Sequence, residues 1–181
     1  IALLPYLVSG IAAAIMWRFL FSGNAGIINL LFATFGLESL TWLGHPDRAL
    51  LVVTLANIWF ISPFATLILL AGLQSIDGEY YDAAAIDGAR RWQSFVYITL
   101  PLLGPMIAVS LVWLSFASFN SFEIILSMTA GGPGRATEVL AVYMYQLGFR
   151  ELDYSTASAV MMVLLTINVL LSAVYLRVFK V

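Results

Sequence analysis

Few side chains in this sequence could carry covalent chemistry. It contains one histidine, His45, no cysteine, and one lysine, Lys180, which lies one residue from the end. A lone histidine cannot build a multi-histidine metal cluster or supply a catalytic triad, and without cysteine there is no thiolate ligand. A GxxxxGK[ST] phosphate loop is impossible because no lysine follows a glycine-rich turn. The sequence therefore predicts a protein that is not an enzyme and does not itself hydrolyse nucleotide.

Polar side chains that could bind a solute lie inside long apolar stretches. Asn57 stands in the middle of one stretch, Ser118, Asn120 and Ser121 lie in another, and Glu123 is interpreted as marking the water boundary. Because an unpaired amide in hydrocarbon is costly, we expect these groups to face a partner helix, water or a solute. Amides and hydroxyls near aromatic rings suit a sugar, whereas hydrogen bonding between helices is the alternative. No arginine or lysine lies mid-stretch, which favours a neutral solute over a phosphate ester.

The apolar stretches themselves decide the class of protein. Hydrophobic residues make up 62% of the 181 residues, charged residues make up 10%, and the mean hydropathy is +0.97. Soluble domains carry roughly 25% charged residues. Lipid must therefore solvate much of the apolar surface, so the bilayer is the first predicted partner. The formal net charge of −2 and the lack of a basic stripe argue against nucleic acid as a partner.

Four stretches are long enough to cross a bilayer as helices. They are residues 1–21, 49–73, 100–122 and 154–179. These stretches predict an all-α, polytopic membrane protein in which residues 1–181 form a single transmembrane domain. Since the sequence opens with Ile1 already inside an apolar run, we interpret it as truncated at its N-terminus. Arginine and lysine divide equally between the two sides of the predicted spans, so the positive-inside rule does not orient the protein.

The loop at residues 74–99 carries the clearest motif. Three alanines and early acidic residues predict a short helix over Tyr80–Asp87, and Gly88 then turns the chain without a Cβ penalty. A second short helix is predicted over Trp92–Ile98, with Pro101 near the start of the next span, where proline is tolerated. The small side chains of the first helix permit close approach by another protein.

This loop resembles the EAA loop of the permease subunits of ABC importers, whose pattern is E-A-A, three residues, G, nine residues, I-x-L-P. The matching positions are Asp82, Ala83, Ala84, Gly88, Ile98, Leu100 and Pro101. The leading glutamate of the family is Asp82 here, one methylene shorter. The adjoining Asp87 and Ala89, and Gly131-Gly132-Pro133 further along, are similar to the carbohydrate branch, which is maltose-permease-like.

The resemblance implies a type I ABC importer permease fold in a bacterial or archaeal inner membrane. It also implies that the loop is cytoplasmic and couples the permease to a separate ATPase, which drives alternating access. ATP and Mg would be bound by that ATPase, with no cofactor in this chain. The implied partners are a second permease subunit, two ATP-binding subunits and an extracytoplasmic solute-binding protein.

The resemblance also locates the solute pathway, because the two helices that flank the loop line the sugar cavity in maltose-permease-like proteins. By position, the lining residues are Asn57, Ile61, Phe64, Ser118 and Ser121. The implied function is import of a di- or oligosaccharide. Two alternatives stay open, namely a permease for another solute such as glycerol phosphate, and an ATP-independent secondary transporter. The repeated halves and intramembrane carboxylates typical of the latter are not visible.

Overall fold

Helices form the regular structure of the chain in the computed structural model, which describes residues 3–23 and 26–179. In chain order they are α1 (Gly10–Leu20), α2 (Ile27–Thr34), α3 (Pro46–Gln74), α4 (Glu79–Ile86), α5 (Arg91–Ser94), α6 (Leu100–Leu102), α7 (Gly104–Phe119), α8 (Phe122–Thr129), α9 (Leu140–Phe149) and α10 (Tyr154–Phe179). A 3₁₀ helix, Leu4–Leu7, precedes α1, and a π-helix, Phe95–Thr99, lies between α5 and α6. The predicted all-α fold class is confirmed.

Three helical segments in the described ranges are long and apolar enough to cross a membrane. Two of them, α3 and α10, coincide with the predicted stretches 49–73 and 154–179 to within three residues at either end. α3 contains 29 residues and α10 contains 26, so each rises about 40 Å or more, enough to cross the hydrocarbon core with some tilt.

The third spanning segment lies further along the chain than the sequence predicted. It extends over Gly104–Thr129 rather than residues 100–122. Apolar residues continue past Glu123 as far as Met128, so the charge at position 123 does not end the segment. A break at Asn120–Ser121 divides it into α7 and α8. This break orients the side chains that follow it.

The described part of the predicted span over residues 1–21 is not one continuous α-helix. α1 has only 11 residues and rises about 16 Å, roughly half of the hydrocarbon core. It begins after Ser9, whose backbone is extended and whose hydroxyl accepts a hydrogen bond from the Ala12 N–H at 3.3 Å. This N-cap separates α1 from the preceding 3₁₀ helix. Ile1 and Ala2 lie outside the described residues.

The core lies where α1, α3, α8 and α9 meet. Its buried residues are Ala14, Val52, Val53, Ala56, Ile124, Ile125, Met128 and Val142. Alanines at the contacts allow the helix backbones to approach closely, as is common in membrane bundles. Around this core α3 packs on α7, and α10 packs on α7 and α9. Much of the apolar surface of α10 stays exposed, as expected of a helix that faces lipid or another subunit.

α3 and α7 also approach closely where the predicted coupling loop begins and ends. A Cβ at Gly72 would lie 2.7 Å from Met106 Cγ and 2.8 Å from a Leu103 methyl carbon, closer than real Cβ contacts. Glycine at position 72 therefore lets the end of α3 pack against the start of α7. The loop at residues 75–99 leaves and rejoins this packed base.

A buried asparagine closes the connection between α1 and α3. The amide nitrogen of Asn29, a residue of α2 that is 3% exposed, donates to the carbonyl oxygens of Gly23 at 2.7 Å and Leu40 at 2.8 Å. Its carbonyl oxygen accepts from the Leu40 N–H at 3.1 Å and from Trp42 Nε1 at 2.9 Å. Every hydrogen-bonding position of this amide is used. These four bonds hold the described parts of this loop together.

Candidate functional site

The loop between α3 and α7 begins with the short helix that the sequence predicts. α4 starts at Glu79, one residue before the predicted start, and its first N–H donates to Asp77 Oδ1 at 3.0 Å. Glu79 and Asp82 occupy the first turn, where the helix dipole favours negative charge. The helix ends at Ile86, one residue before the predicted end.

A left-handed glycine turns the chain after α4. Gly88 has φ +76°, the conformation in which helices commonly end. The Ala89 N–H then donates to the Ala84 carbonyl oxygen at 2.9 Å, which satisfies an otherwise unpaired helix carbonyl. A Cβ at position 88 would meet no atom within 4 Å, so glycine is required there for backbone conformation rather than for space.

The second part of the loop is helical, as predicted, but its geometry changes along its length. α5 begins beside a local cap in which Gln93 Oε1 accepts from the Arg90 N–H at 2.7 Å. Residues 95–99 then form the π-helix, which leads directly into α6 and the base of α7. Sequence pattern predicted helix over Trp92–Ile98 and gave no signal for the wider turn.

The predicted coupling residues form a largely exposed surface. Asp82, Ala83, Asp87, Gly88, Leu100 and Pro101 are exposed, whereas Ala84, Ala89 and Ile98 are half-buried. No residue of α4 is buried, and Ile86 at its end is 87% exposed. A large apolar side chain that is this exposed outside the spanning helices has no packing partner in the described part of the chain. The surface is therefore suited to contact with another protein.

One contact within the loop was missed by sequence reasoning. The Tyr81 hydroxyl on α4 lies 2.9 Å from Thr99 Oγ1, at the end of the π-helix. Eighteen residues separate these two positions, so no local spacing rule could have paired them.

A cavity of about 190 Å³ lies beside the break between α7 and α8, next to α3 and the 3₁₀ helix. Ile61 lines it together with aromatic and polar side chains, which include Tyr6, Trp113, Asn120, Ser121 and Glu123. Phe64 lies behind this wall. Its ring centroid is 5.6 Å from that of Tyr6 and 4.4 Å from that of Trp113.

A second, larger space of about 610 Å³ lies between α3, α7 and α10. Hydroxyl groups line it at Ser62, Thr66, Ser115, Ser118 and Tyr175. Two of them, Ser115 and Tyr175, are joined by a hydrogen bond of 3.1 Å that links α7 to α10. This groove therefore combines polar lining with a bond between helices.

The structure divides the predicted pathway residues between these two spaces. Ile61 lines both of them, Ser121 lines only the cavity and Ser118 lines only the groove. Phe64 lines neither and supports the cavity wall from behind. Asn57 also lines neither, and its Oδ1 is buried without a hydrogen-bond partner among the described residues. The five residues therefore do not converge on one site.

Among the cavity-lining residues outside the predicted pathway set are Asn120 and Glu123. The Asn120 amide nitrogen donates to the Phe116 carbonyl oxygen at 2.8 Å, which leaves its own carbonyl oxygen without a partner among the described residues. Glu123, interpreted from sequence as a boundary residue, lines the cavity, and its Oε2 would lie 2.6 Å from a Cβ at Gly10. The position of Glu123 in the cavity could have been predicted from the sequence, because the apolar pattern continues after Glu123 and places it within a spanning segment.

Comparisons with known proteins agree with this architecture. The family model described as "Binding-protein-dependent transport system inner membrane component" matches residues 1–180. The chain is 38% identical over 181 residues to the trehalose/maltose transport system permease protein of Thermococcus litoralis, covering 98% of this chain and 60% of that protein.

Two solved structures have the same fold. A bacterial ABC transporter involved in the import of the acidic polysaccharide alginate superposes with a TM-score of 0.87 at 28% identity, covering 99% of this chain and 63% of that one. A bacterial alginate ABC transporter in complex with an alginate pentasaccharide-bound periplasmic protein superposes with a TM-score of 0.82 at 25% identity, covering 98% and 62%. The chain thus spans about three fifths of the length of the proteins it matches.

Proposed function

The chain belongs to the family of inner membrane components of binding-protein-dependent transport systems, and we propose that it is a permease subunit of an ATP-driven importer for a neutral sugar. Members of this family are transport components rather than enzymes. In the proposed complex a separate ATPase binds ATP and Mg, and its closure drives alternating access of the solute site.

The observation that carries the proposal is the continuity between the exposed loop and the cavity. α7 starts beside the π-helix that ends the loop, and it ends at Phe119, next to two cavity residues, Asn120 and Ser121. Its 16 residues rise about 24 Å as one uninterrupted helix. A displacement applied to the loop is therefore carried to the cavity wall.

The composition of the cavity supports a sugar as the solute. Tyr6 and Trp113 present aromatic faces, while Asn120, Ser121 and Glu123 supply hydrogen-bonding groups. Cavities that combine apolar or aromatic walls with a few placed polar groups are typical of small-molecule sites. The relative from Thermococcus litoralis, whose name gives trehalose and maltose as its solutes, is consistent with this chemistry.

The charge of the cavity supports a neutral solute rather than an anionic one. Within the described ranges no arginine or lysine lines either the cavity or the groove, and Glu123 adds a carboxylate to the cavity wall. A phosphate ester or a uronate needs cationic ligands to offset its desolvation. Glycerol phosphate is therefore disfavoured, and the predicted solute differs in charge from the acidic polysaccharide of the structural relative.

The proposed complex contains this permease, a second permease, two ATP-binding subunits and an extracytoplasmic solute-binding protein. The exposed α4 supports the contact with an ATPase, and the exposed apolar surface of α10 supports burial against lipid and the second permease. The structural relative in complex with a periplasmic protein supports the last partner.

Purification of the full-length protein with its partners, followed by uptake in proteoliposomes, tests the proposal. We expect an ATP-binding subunit to copurify, and uptake of a neutral di- or oligosaccharide to require both ATP and the solute-binding protein.

Asn120→Ala should lower uptake about tenfold, since it removes a solute-facing amide. Asn168→Ala is the matched control, because that amide also donates within its own helix, to the Leu164 carbonyl oxygen, and lines neither space. Uptake by the chain alone, without ATP, would instead establish a secondary transporter.

A further inference from the structure

One side-chain hydrogen bond joins α4 to the body of the chain. It links the Tyr81 hydroxyl to Thr99 Oγ1 at 2.9 Å, and α4 makes no other side chain to side chain hydrogen bond within the described ranges. α4 has no buried residue and contacts other elements only sparsely. Apart from its two chain connections, its position therefore depends largely on this bond.

The Thr99 end of the bond is firmly placed. Thr99 is 6% exposed, and its carbonyl oxygen accepts from the Leu103 N–H at 2.9 Å, which ties it to the base of α7. It is also the last residue of the π-helix. Single turns of π-helix are rare and frequently lie at functional positions. Thr99 thus connects a distorted helical turn to a spanning helix.

The space beside the bond is not filled by side chains. A gap of about 370 Å³ lies between α4 and the π-helix, bordered by Tyr81, Ala85, Ala89, Ser94 and Thr99 among others. Dispersion contacts that would otherwise hold the two elements together are missing across such a gap. The Tyr81 hydroxyl is therefore the specific contact that sets the position of α4 relative to the π-helix.

We infer that the Tyr81–Thr99 hydrogen bond transmits movement of α4 to α7, an inference that rests on the proposed function. A tyrosine side chain has only two torsions, so its ring is a stiff link between the two elements. When the ATPase displaces α4, the bond obliges Thr99 and the base of α7 to follow. Tyr81 is a positioning residue, because it acts through Thr99 and lines neither the cavity nor the groove.

Substitutions that remove only hydroxyl groups test this inference in the assembled transporter. Tyr81→Phe and Thr99→Val each delete one partner of the bond and keep the side-chain shape. Thr99→Val also removes the hydrogen bond of 3.5 Å that Thr99 Oγ1 donates to the Ser94 carbonyl oxygen. Tyr80→Phe is the matched control, because Tyr80 lies on the same helix, is 55% exposed and has no hydrogen-bond partner for its hydroxyl among the described residues. Thr99→Ser retains the hydroxyl and should restore function. The readout is sugar taken up per ATP hydrolysed, together with the amount of ATPase that copurifies.

We expect Tyr81→Phe and Thr99→Val each to lower uptake per ATP by about three- to tenfold, the range expected for loss of one hydrogen bond. The double variant should be no worse than Thr99→Val alone, since both substitutions remove the Tyr81–Thr99 bond. ATPase copurification should stay at the wild-type level. Equal uptake per ATP in Tyr81→Phe and Tyr80→Phe, or additive losses in the double variant, would overturn the inference alone. Absence of ATP-dependent uptake in the wild type would overturn the proposed function as well.

Discussion

The two loops at opposite ends of α3 are built in contrasting ways. The loop before α3 closes on itself, because Asn29 makes four hydrogen bonds to Gly23, Leu40 and Trp42, and the Trp42 ring packs at right angles to the ring of Phe21. The loop after α3 buries no residue of its main helix and leaves Ile86 almost fully exposed. The first loop has a buried polar centre of its own, although Phe35 and Leu37 on its surface are 80% and 56% exposed, whereas the main helix of the second loop has no buried residue.

We interpret this difference as that between a structural loop and the proposed docking loop. Buried polar groups that are fully paired stabilise a unique conformation and need no partner. A helix that keeps its backbone hydrogen bonds but exposes a large apolar side chain gains free energy when another protein covers that side chain. The contrast predicts that substitutions in the first loop affect the stability of this chain, and that substitutions in the second affect assembly.

The largest expected effect is that of Asn29→Ala in the first loop. The substitution strands two carbonyl oxygens, one backbone N–H and the Trp42 Nε1 group, which should cost about 3 kcal/mol of local stability. Hydrogen exchange of the Leu40 amide should accordingly become about a hundredfold faster. Mass spectrometry of peptides that cover residues 37–44 measures this exchange in the purified full-length protein.

The control for this experiment is Asn168→Ala, which removes one hydrogen bond within α10. It should leave exchange at Leu40 unchanged. If Asn29→Ala also left that exchange unchanged, the first loop would owe its conformation to something other than Asn29, and the contrast between the loops would fail.

A smaller effect is expected from Gly88→Ala in the second loop. Gly88 has φ +76°, where an alanine Cβ costs about 1 kcal/mol. The strain should displace the end of α4 and lower the affinity of the complex for its ATPase about fivefold, as measured by titration of the purified subunit. Gly78→Ala is the matched control, because Gly78 has φ −59° and, like Gly88, open space for a Cβ. Equal affinities for the two variants would show that the left-handed turn has no part in docking.

The local structure of the loop could be predicted from sequence because it depends on local rules. Alanine content, acidic residues in the first turn and a glycine after the helix placed α4 to within one residue at each end. The predicted stretches 49–73 and 154–179 followed likewise from length and hydropathy. The interruption before α1 was not predicted, because a single serine, Ser9, caps α1 inside an apolar run that hydropathy treats as continuous.

The cavity could not be predicted in the same way. The predicted pathway set, chosen by position along two helices, divides between two spaces and omits Asn120 and Glu123. The break at Asn120–Ser121 changes the direction of the side chains around it, and hydropathy carries no signal for such a break. Asn57 was a reasonable choice by polarity, but its side-chain carbonyl oxygen is buried and it lines neither space.

The central claim is that the loop after α3 docks on an ATPase, and site-specific cross-linking tests it most directly. Since the 181 residues contain no cysteine, Ile86→Cys and Leu37→Cys each introduce one thiol into them, on the exposed loops after and before α3 respectively. With a short bifunctional reagent and the assembled transporter, we expect Ile86→Cys to form an adduct with the ATP-binding subunit and Leu37→Cys to form none. An intact, transporting complex in which position 86 gives no adduct, or position 37 gives as much, would contradict the assignment of this loop as the coupling element.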